Sequence, residues 1–328
     1  MSLTYLLPPA VIILCILFGA PVAAEKINVY FKVSPLPERL RPFSEPATLS
    51  LLVTAADGKP LAGGWLNVRL QAPRPVFFST DFPWAEGSAL TEMRLPLKTG
   101  RAEWKYNFPI RGEYQLLVEA LASDGTTSSK TFKFEIREHR SKWWVLGVFT
   151  LGLFAVGFIA GQIFTDTPRH GTGALRLICF ALVFFTVSTA TAFAQEAAIE
   201  KPTMRLEIDP PTVGKLSQVR WLREPDGGYS SQSAVLSLAI THVEKGMTVF
   251  AVDRILVEGE YSINFHFIDG AEHRVTAQAA LPGGKSARIE QIVSVSGVEP
   301  PMSAMLPAMG LFLAVIGLGL GVGRWSRC

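Results

Sequence analysis

Two hydrophobic rhythms alternate along the chain. The first has a period of two. In Phe132-Lys133-Phe134-Glu135-Ile136-Arg137 every second side chain is apolar, and Trp104, Tyr106 and Phe108 alternate with Lys105 and Asn107. Leu236, Leu238 and Ile240 do the same with Ser237, Ala239 and Thr241. This is the pattern of a strand with one buried face, because successive strand side chains point to opposite sides. Asp57-Gly58-Lys59-Pro60 is a turn between two such runs, and Pro35, Pro37, Pro73, Pro75, Pro210 and Pro211 mark loops. No amphipathic helix is predicted in these regions. Residues 25–141 and 195–303 are each predicted to fold as an immunoglobulin-like antiparallel β-sandwich, a unit of roughly 100 residues.

The second rhythm is an unbroken apolar run. Residues 143–164 are long enough to cross a bilayer, with Lys142, Trp143 and Trp144 at the polar edge. Residues 177–194 are a shorter run after Arg169, His170 and Arg176, and residues 304–323 precede Arg324-Trp325-Ser326-Arg327-Cys328. Near the N-terminus, Leu6 to Phe18 is apolar, and Val22-Ala23-Ala24 stands before Glu25. Residues 1–24 are therefore predicted to be a signal peptide, with an uncleaved anchor as the alternative. The positive-inside rule puts the loop 165–176 and the tail 324–328 in the cytoplasm and both sandwiches outside. The expected fold is mainly β: two extracytoplasmic sandwiches and three transmembrane helices after the signal segment. Cys15, Cys179 and Cys328 all fall outside the sandwiches, so neither sandwich can form an internal disulfide.

The span 177–194 ends in Ala192-Phe193-Ala194, again like a signal-peptidase site. The chain thus reads as one unit written twice: export segment, outer domain, anchoring helix. Gly112-Glu113-Tyr114 and Gly259-Glu260-Tyr261 look like corresponding points. Each follows a turn glycine, Gly100 or Gly246, and precedes an Asp-Gly pair, Asp124-Gly125 or Asp269-Gly270.

Composition narrows the function classes. Of 328 residues 48% are hydrophobic and only 18% charged, with mean hydropathy +0.28. Soluble domains carry about 25% charged residues, so some apolar residues here face lipid. A net charge of +3 without a basic stripe excludes an ordinary nucleic-acid binder. Three cysteines exclude a disulfide scaffold or a Cys-rich zinc module. No G-x-S-x-G, Walker A or H-E-x-x-H sequence occurs, and a non-enzymatic role is expected.

Asp57-Gly58-Lys59-Pro60-Leu61 before a strand, then Gly112-Glu113-Tyr114 and a closing hairpin, resembles bacterial immunoglobulin-like domains of the YtkA-like and FixH-like kind. The resemblance implies an outward-facing, membrane-tethered domain, of which some relatives are associated with copper handling or oxidase assembly.

Candidate chemistry gathers in the second domain. His242, His266, His273 and Met247 form an imidazole–thioether set compatible with copper. Were residues 260–280 a hairpin with a two-residue Asp269-Gly270 loop, His266 would face His273. A three-residue loop, Ile268-Asp269-Gly270, sets Ile263 against Val275 inside and His266 against Glu272 outside. Burial favours the second register, which parts the two histidines, so no cofactor is expected. His242 continues the apolar face of its strand. Phe82 and Trp84 form an aromatic loop that either plugs a sandwich end or contacts a partner. Gly157 and Gly161, Gly317 and Gly321, and Gly319 and Gly323 stand four apart in the spans, a spacing that lets helix backbones approach. No charge lies within the spans, which argues against an ion pathway. The expectation is a bacterial inner-membrane protein that binds a membrane or periplasmic protein or assists assembly of a membrane complex, for instance by strand addition. A copper-binding accessory protein and a transporter subunit remain the alternatives.

Overall fold

The computed structural model describes residues 27–164, 204–223, 233–280 and 286–326. The predicted signal segment 1–24, the basic loop 165–176 and the span 177–194 lie outside the described residues.

Seven strands precede the first long helix: β1 Ile27–Ser34, β2 Ala47–Ala55, β3 Trp65–Gln71, β4 Ala89–Pro96, β5 Arg101–Tyr106, β6 Gly112–Leu121 and β7 Thr127–Ile136, then α1 Arg140–Ile163. Seven more precede the second: β8 Met204–Ile208, β9 Leu216–Arg223, β10 Ala234–His242, β11 Met247–Val257, β12 Glu260–His266, β13 Glu272–Ala280 and β14 Ser286–Ser294, then α2 Met302–Trp325. The alternation read from sequence is the burial pattern. In β5, Ala102, Trp104 and Tyr106 point inward and Arg101, Glu103 and Lys105 outward.

The strands form two antiparallel sheets, and both sheets draw on both halves of the chain. One has the order β1-β2-β5-β11-β10-β13-β14, the other β7-β6-β3-β4-β12-β9-β8. Adding seven to each strand of the first half reproduces the second. The sets 1-2-5 and 7-6-3-4 become 8-9-12 and 14-13-10-11. The connectivity of the first half is thus repeated in the second. The joints between the halves are reciprocal, because β5 meets β11 while β4 meets β12.

Each half contributes the two strand layers of one sandwich, but the sequence did not reveal that the two are joined edge to edge. At one joint Phe250 pairs with Tyr106, Ala251 with Lys105 and Val252 with Trp104. At the other Ile263 pairs with Met93, Asn264 with Glu92 and Phe265 with Thr91. The Asn107 amide extends the first ladder by donating to the Val249 carbonyl at 2.9 Å. Trp104, Tyr106, Phe250 and Phe265 are all buried, and one continuous hydrophobic core runs from Ile27 to Val295. Burial of each such side chain contributes about 1.5–3 kcal/mol, so the halves share stabilisation.

Two readings are corrected. The repeated Gly-Glu-Tyr falls at the start of β6 and beside the start of β12, but the counterpart of β6 is β13. The motif marks two different corners. Nor do β12 and β13 form a hairpin: β12 pairs with β9 and β4, and β13 with β10 and β14 in the other sheet. Asp269 and Gly270 lie on a crossing between layers, and neither proposed register exists. An apolar strand followed by a turn looks the same in sequence whether the chain folds back or changes sheets.

Each half ends in its helix. α1 and α2 run side by side in the same direction. A Cβ on Gly157 would overlap the Ile316 carbonyl, and one on Gly161 the Leu320 carbonyl. Gly319 and Gly323 meet the carbonyls of Phe154 and Phe158 in the same way, whereas Gly317 and Gly321 face open space. Four of the six glycines singled out by spacing thus sit where the backbones approach. Overpacking a tight contact costs about 1–3 kcal/mol. Gly157→Leu and Gly323→Leu should each lower the melting temperature of the full chain in nanodiscs by several degrees. Gly317→Leu and Gly321→Leu should leave it unchanged.

Candidate functional site

The two halves differ in chemistry at the corner leading into the sixth strand of each. In the first half, Tyr114 lies fully buried at the start of β6. Its hydroxyl donates to the Ile110 carbonyl at 2.7 Å and accepts the Ile110 amide at 3.2 Å. This is the tyrosine corner of immunoglobulin-like sandwiches. Burial, with Tyr106 nearby, pushes the Tyr114 phenol well above its ordinary pKa, so it stays a neutral donor.

The second half has a histidine in that position. Along β3 and β6, Leu66 pairs with Ala120, Val68 with Val118 and Leu70 with Leu116. The next inward positions are Ala72 and Tyr114. Along β10 and β13, Leu236 pairs with Ala279, Leu238 with Ala277, Ile240 with Val275 and then His242 with His273. His242 therefore stands for Ala72 and His273 for Tyr114. Asp269 precedes His273 by the same interval that Ile110 precedes Tyr114.

The three side chains meet. The two imidazole rings lie 5.0 Å apart between centroids. His242 Nε2 is 3.0 Å from Asp269 Oδ2, and Lys245 Nζ is 3.1 Å from the same oxygen. His273 Nε2 is 3.8 Å from Asp269 Oδ1. Hydrogen-bond partners assign the tautomers. His273 Nδ1 lies 3.1 Å from the Ala271 carbonyl, so it carries the hydrogen and Nε2 is a bare lone pair. His242 Nδ1 accepts the Lys245 amide at 3.3 Å, so its Nε2 donates to Asp269. Asp269 Oδ1 is buried without a hydrogen-bond partner.

Beside them is a cavity of about 10 Å³, walled by Phe43, Val249, Phe265 and Ile268. That is room for about one water-sized group. Burial pulls the Asp269 carboxyl upward, but the Lys245 hydrogen bond and the adjacent His242 outweigh it and hold the carboxyl below its ordinary range. Burial pushes the His273 imidazole below its ordinary value, against the pull of the Ala271 carbonyl and Asp269.

The first half supplies the lid. Trp84 donates its indole N–H to the Ile268 carbonyl at 2.6 Å. Phe82 packs 5.3 Å from Phe43, and the Lys245 ammonium lies 4.3 Å above the Phe43 ring. Phe43 holds a left-handed backbone with φ 51°, a conformation costing about 1–3 kcal/mol in a non-glycine residue. Phe82 and Trp84 therefore pack across the joint.

The remaining candidates lie apart from the cluster. His266 sits at the joint of β12 and β4, with Nδ1 3.0 Å from Ser88 Oγ and 3.3 Å from the Ala89 carbonyl. Met247 pairs with His242 across the β10–β11 hairpin, but its sulfur accepts from Asn107 Nδ2 at 3.0 Å. In the sequence Asp269 reads only as a turn residue. Its interval to His273 was visible, but has meaning only once the corner is known.

No protein-family model and no curated protein matches the chain. Several solved structures do. A conjugative transposon lipoprotein from Bacteroides eggerthii is 14% identical, over 28% of this chain and 96% of its own, with TM-score 0.21. A two-domain fibronectin type-III segment of chicken tenascin is 11% identical, over 81% of this chain and 97% of its own, with TM-score 0.21. PorU from Porphyromonas gingivalis is 10% identical, over 83% of this chain and 34% of its own, with TM-score 0.26. Scores this low say nothing about function. The immunoglobulin-like assignment stands on strand order and the Tyr114 corner.

Two outcomes follow. Tyr114→Phe removes both bonds to Ile110 and should destabilise the protein by about 1–3 kcal/mol in denaturant melts. Burial holds His266 below the ordinary 6.5, against the Ala89 carbonyl. The unfolded chain then binds the proton first. The stability this group contributes is complete above about pH 6.5 and is lost as pH falls toward its lowered folded value. The denaturation midpoint should drop between pH 7 and pH 5, with a shallower slope in His266→Gln.

Proposed function

We propose that this is an integral membrane protein of the bacterial inner membrane. It holds its joined immunoglobulin-like halves on the periplasmic side, to bind another protein rather than to carry out catalysis. The observation carrying this reading is that α1 and α2 run parallel, both starting at the body. Each has 24 residues, about 36 Å at 1.5 Å per residue, against a hydrocarbon layer of about 30 Å. Their mean hydropathies are 2.1 and 2.2, and their outer surfaces carry exposed Val145, Leu151, Leu313 and Leu318. Such a surface is stable in lipid and costly in water.

A chain that crosses with α1 must cross back before β8, and residues 177–194 are the apolar stretch available for that return. The basic residues Arg169, Arg176, Arg324 and Arg327 then all fall at the far end, which fits a cytoplasmic side.

Partner binding is assigned to the edge strand β14. It pairs only with β13 among the described residues, and Arg288, Glu290, Gln291 and Ile292 are all exposed. An open ladder edge of nine residues can accept a strand from another chain.

Reporter fusions at His170 and after Cys328 should both report cytoplasm. Either one reporting the periplasm would overturn the topology. A photocrosslinking amino acid at Gln291 in native membranes should give one discrete adduct. Its absence, with an equal adduct at exposed Glu103 on β5, would overturn the assignment to β14.

A further inference from the structure

The corner entering β13 is built like the one entering β6, with one part missing. In the first half a tyrosine hydroxyl closes the corner, donating to one backbone group and accepting from another. In the second half no donor occupies that place. The bare Nε2 of His273 and the unpartnered Oδ1 of Asp269 face each other at 3.8 Å. Asp269 Oδ1 is a buried acceptor without a donor, and the lone pair of His273 Nε2 opposite it cannot supply one, which is unfavourable. A cation placed between them satisfies both.

The geometry points to His273, Asp269 and His242 as a binding site for one divalent transition-metal ion of the zinc and copper class. The candidate ligand atoms of the three residues lie within 4.8 Å of one another. Metal–nitrogen and metal–oxygen bonds of about 2.0–2.2 Å place two ligands of one ion roughly 3–4 Å apart, so small side-chain movements close the set. The bond from His273 Nδ1–H to the Ala271 carbonyl is the outer-shell contact that orients a metal-bound imidazole and fixes its tautomer. Two imidazoles and a carboxylate suit zinc or copper better than calcium or magnesium, which take all-oxygen sets. The cavity of about 10 Å³ admits one ion, and its apolar walls hold the ligands in place.

His273 Nε2 and Asp269 Oδ1 coordinate as they stand. His242 joins by moving its hydrogen from Nε2 to Nδ1, giving up the long 3.3 Å contact with the Lys245 amide. The proton count is unchanged. Lys245 is the competitor. Its ammonium lies 3.1 Å from Asp269 and 4.3 Å above the Phe43 ring, and its side chain is 42% exposed, so an arriving ion displaces it toward solvent. The site is independent of the membrane topology and of β14.

The test is calorimetry on the full chain in detergent, stripped with chelator, using Zn²⁺ and Cu²⁺ with Ca²⁺ and Mg²⁺ as controls. Zn²⁺ or Cu²⁺ should bind with one equivalent and raise the melting temperature, and Ca²⁺ and Mg²⁺ should not. Asp269→Asn and His273→Gln should each weaken binding about tenfold or more, and His139→Ala, half-buried and outside the cluster, should not. Lys245→Met should tighten it, a sign that a merely structural role for the cluster does not produce. This arm holds even if the ligand variants fold poorly. In the Cu²⁺-loaded protein, electron paramagnetic resonance should show two coordinated imidazole nitrogens. No saturable binding to the wild-type protein, binding unchanged in Asp269→Asn, or binding unchanged or weakened in Lys245→Met would overturn the site.

Discussion

A β-strand at the margin of a sheet carries a row of amides and carbonyls that must find partners or face water. The architecture follows from how four such margins are resolved. β4, β5, β11 and β12 would each be an edge if the halves folded apart. Each is instead capped by a strand of the other half, and the backbone pairing carries the apolar core across with it. Closing edges in this reciprocal way removes four sites of unwanted association with two joints. It leaves the outer strands, β14 among them, as the margins open to other chains.

Joining the halves also lets them diverge. The loop holding Phe82 and Trp84 belongs to the first half but covers the β12–β13 corner of the second. With a lid supplied from outside, that corner need not be closed by its own tyrosine. The position equivalent to Tyr114 is held by His273, facing Asp269 across a small apolar-walled space. The two repeats thus hold one corner closed by a tyrosine hydroxyl and one where Asp269 Oδ1 is left without a donor. At the other end, the helices repeat the same economy, since glycine four apart serves both surfaces of the contact.

Local features were legible in the sequence. The alternation at Trp104, Tyr106 and Phe108 and at Leu236, Leu238 and Ile240 reflects a buried face, and burial is periodic along a strand. The apolar runs of α1 and α2 need only length and composition to be recognised. What lies between elements was not legible. Gly112-Glu113-Tyr114 and Gly259-Glu260-Tyr261 look alike because both lead into a strand through a positive-φ glycine, a local demand indifferent to which strand follows. The Asp269 corner looked like a hairpin because a turn does not encode the sheet its exit strand will join. His242 and His273 are far apart in sequence and meet only through β10–β13 pairing, which the β12–β13 hairpin reading had displaced. Edge-to-edge joining has no sequence signature, since a strand pairing with its own half and one pairing with the other alternate identically.

The central claim, that one chain's two halves share their sheets, is tested most directly at the β4–β12 joint. Glu92 and Asn264 stand opposite each other there, with Asn264 Nδ2 donating to Glu92 Oε2 at 3.3 Å. Directly opposed strand residues lie about 4.5–5.5 Å apart at Cα, within the range of a disulfide. In a chain with Cys15, Cys179 and Cys328 replaced by serine, Glu92→Cys and Asn264→Cys together should oxidise to a bond within the monomer, seen as faster migration on a non-reducing gel. A bond formed only between chains, or none under mild oxidation, would mean that the halves fold as separate sandwiches.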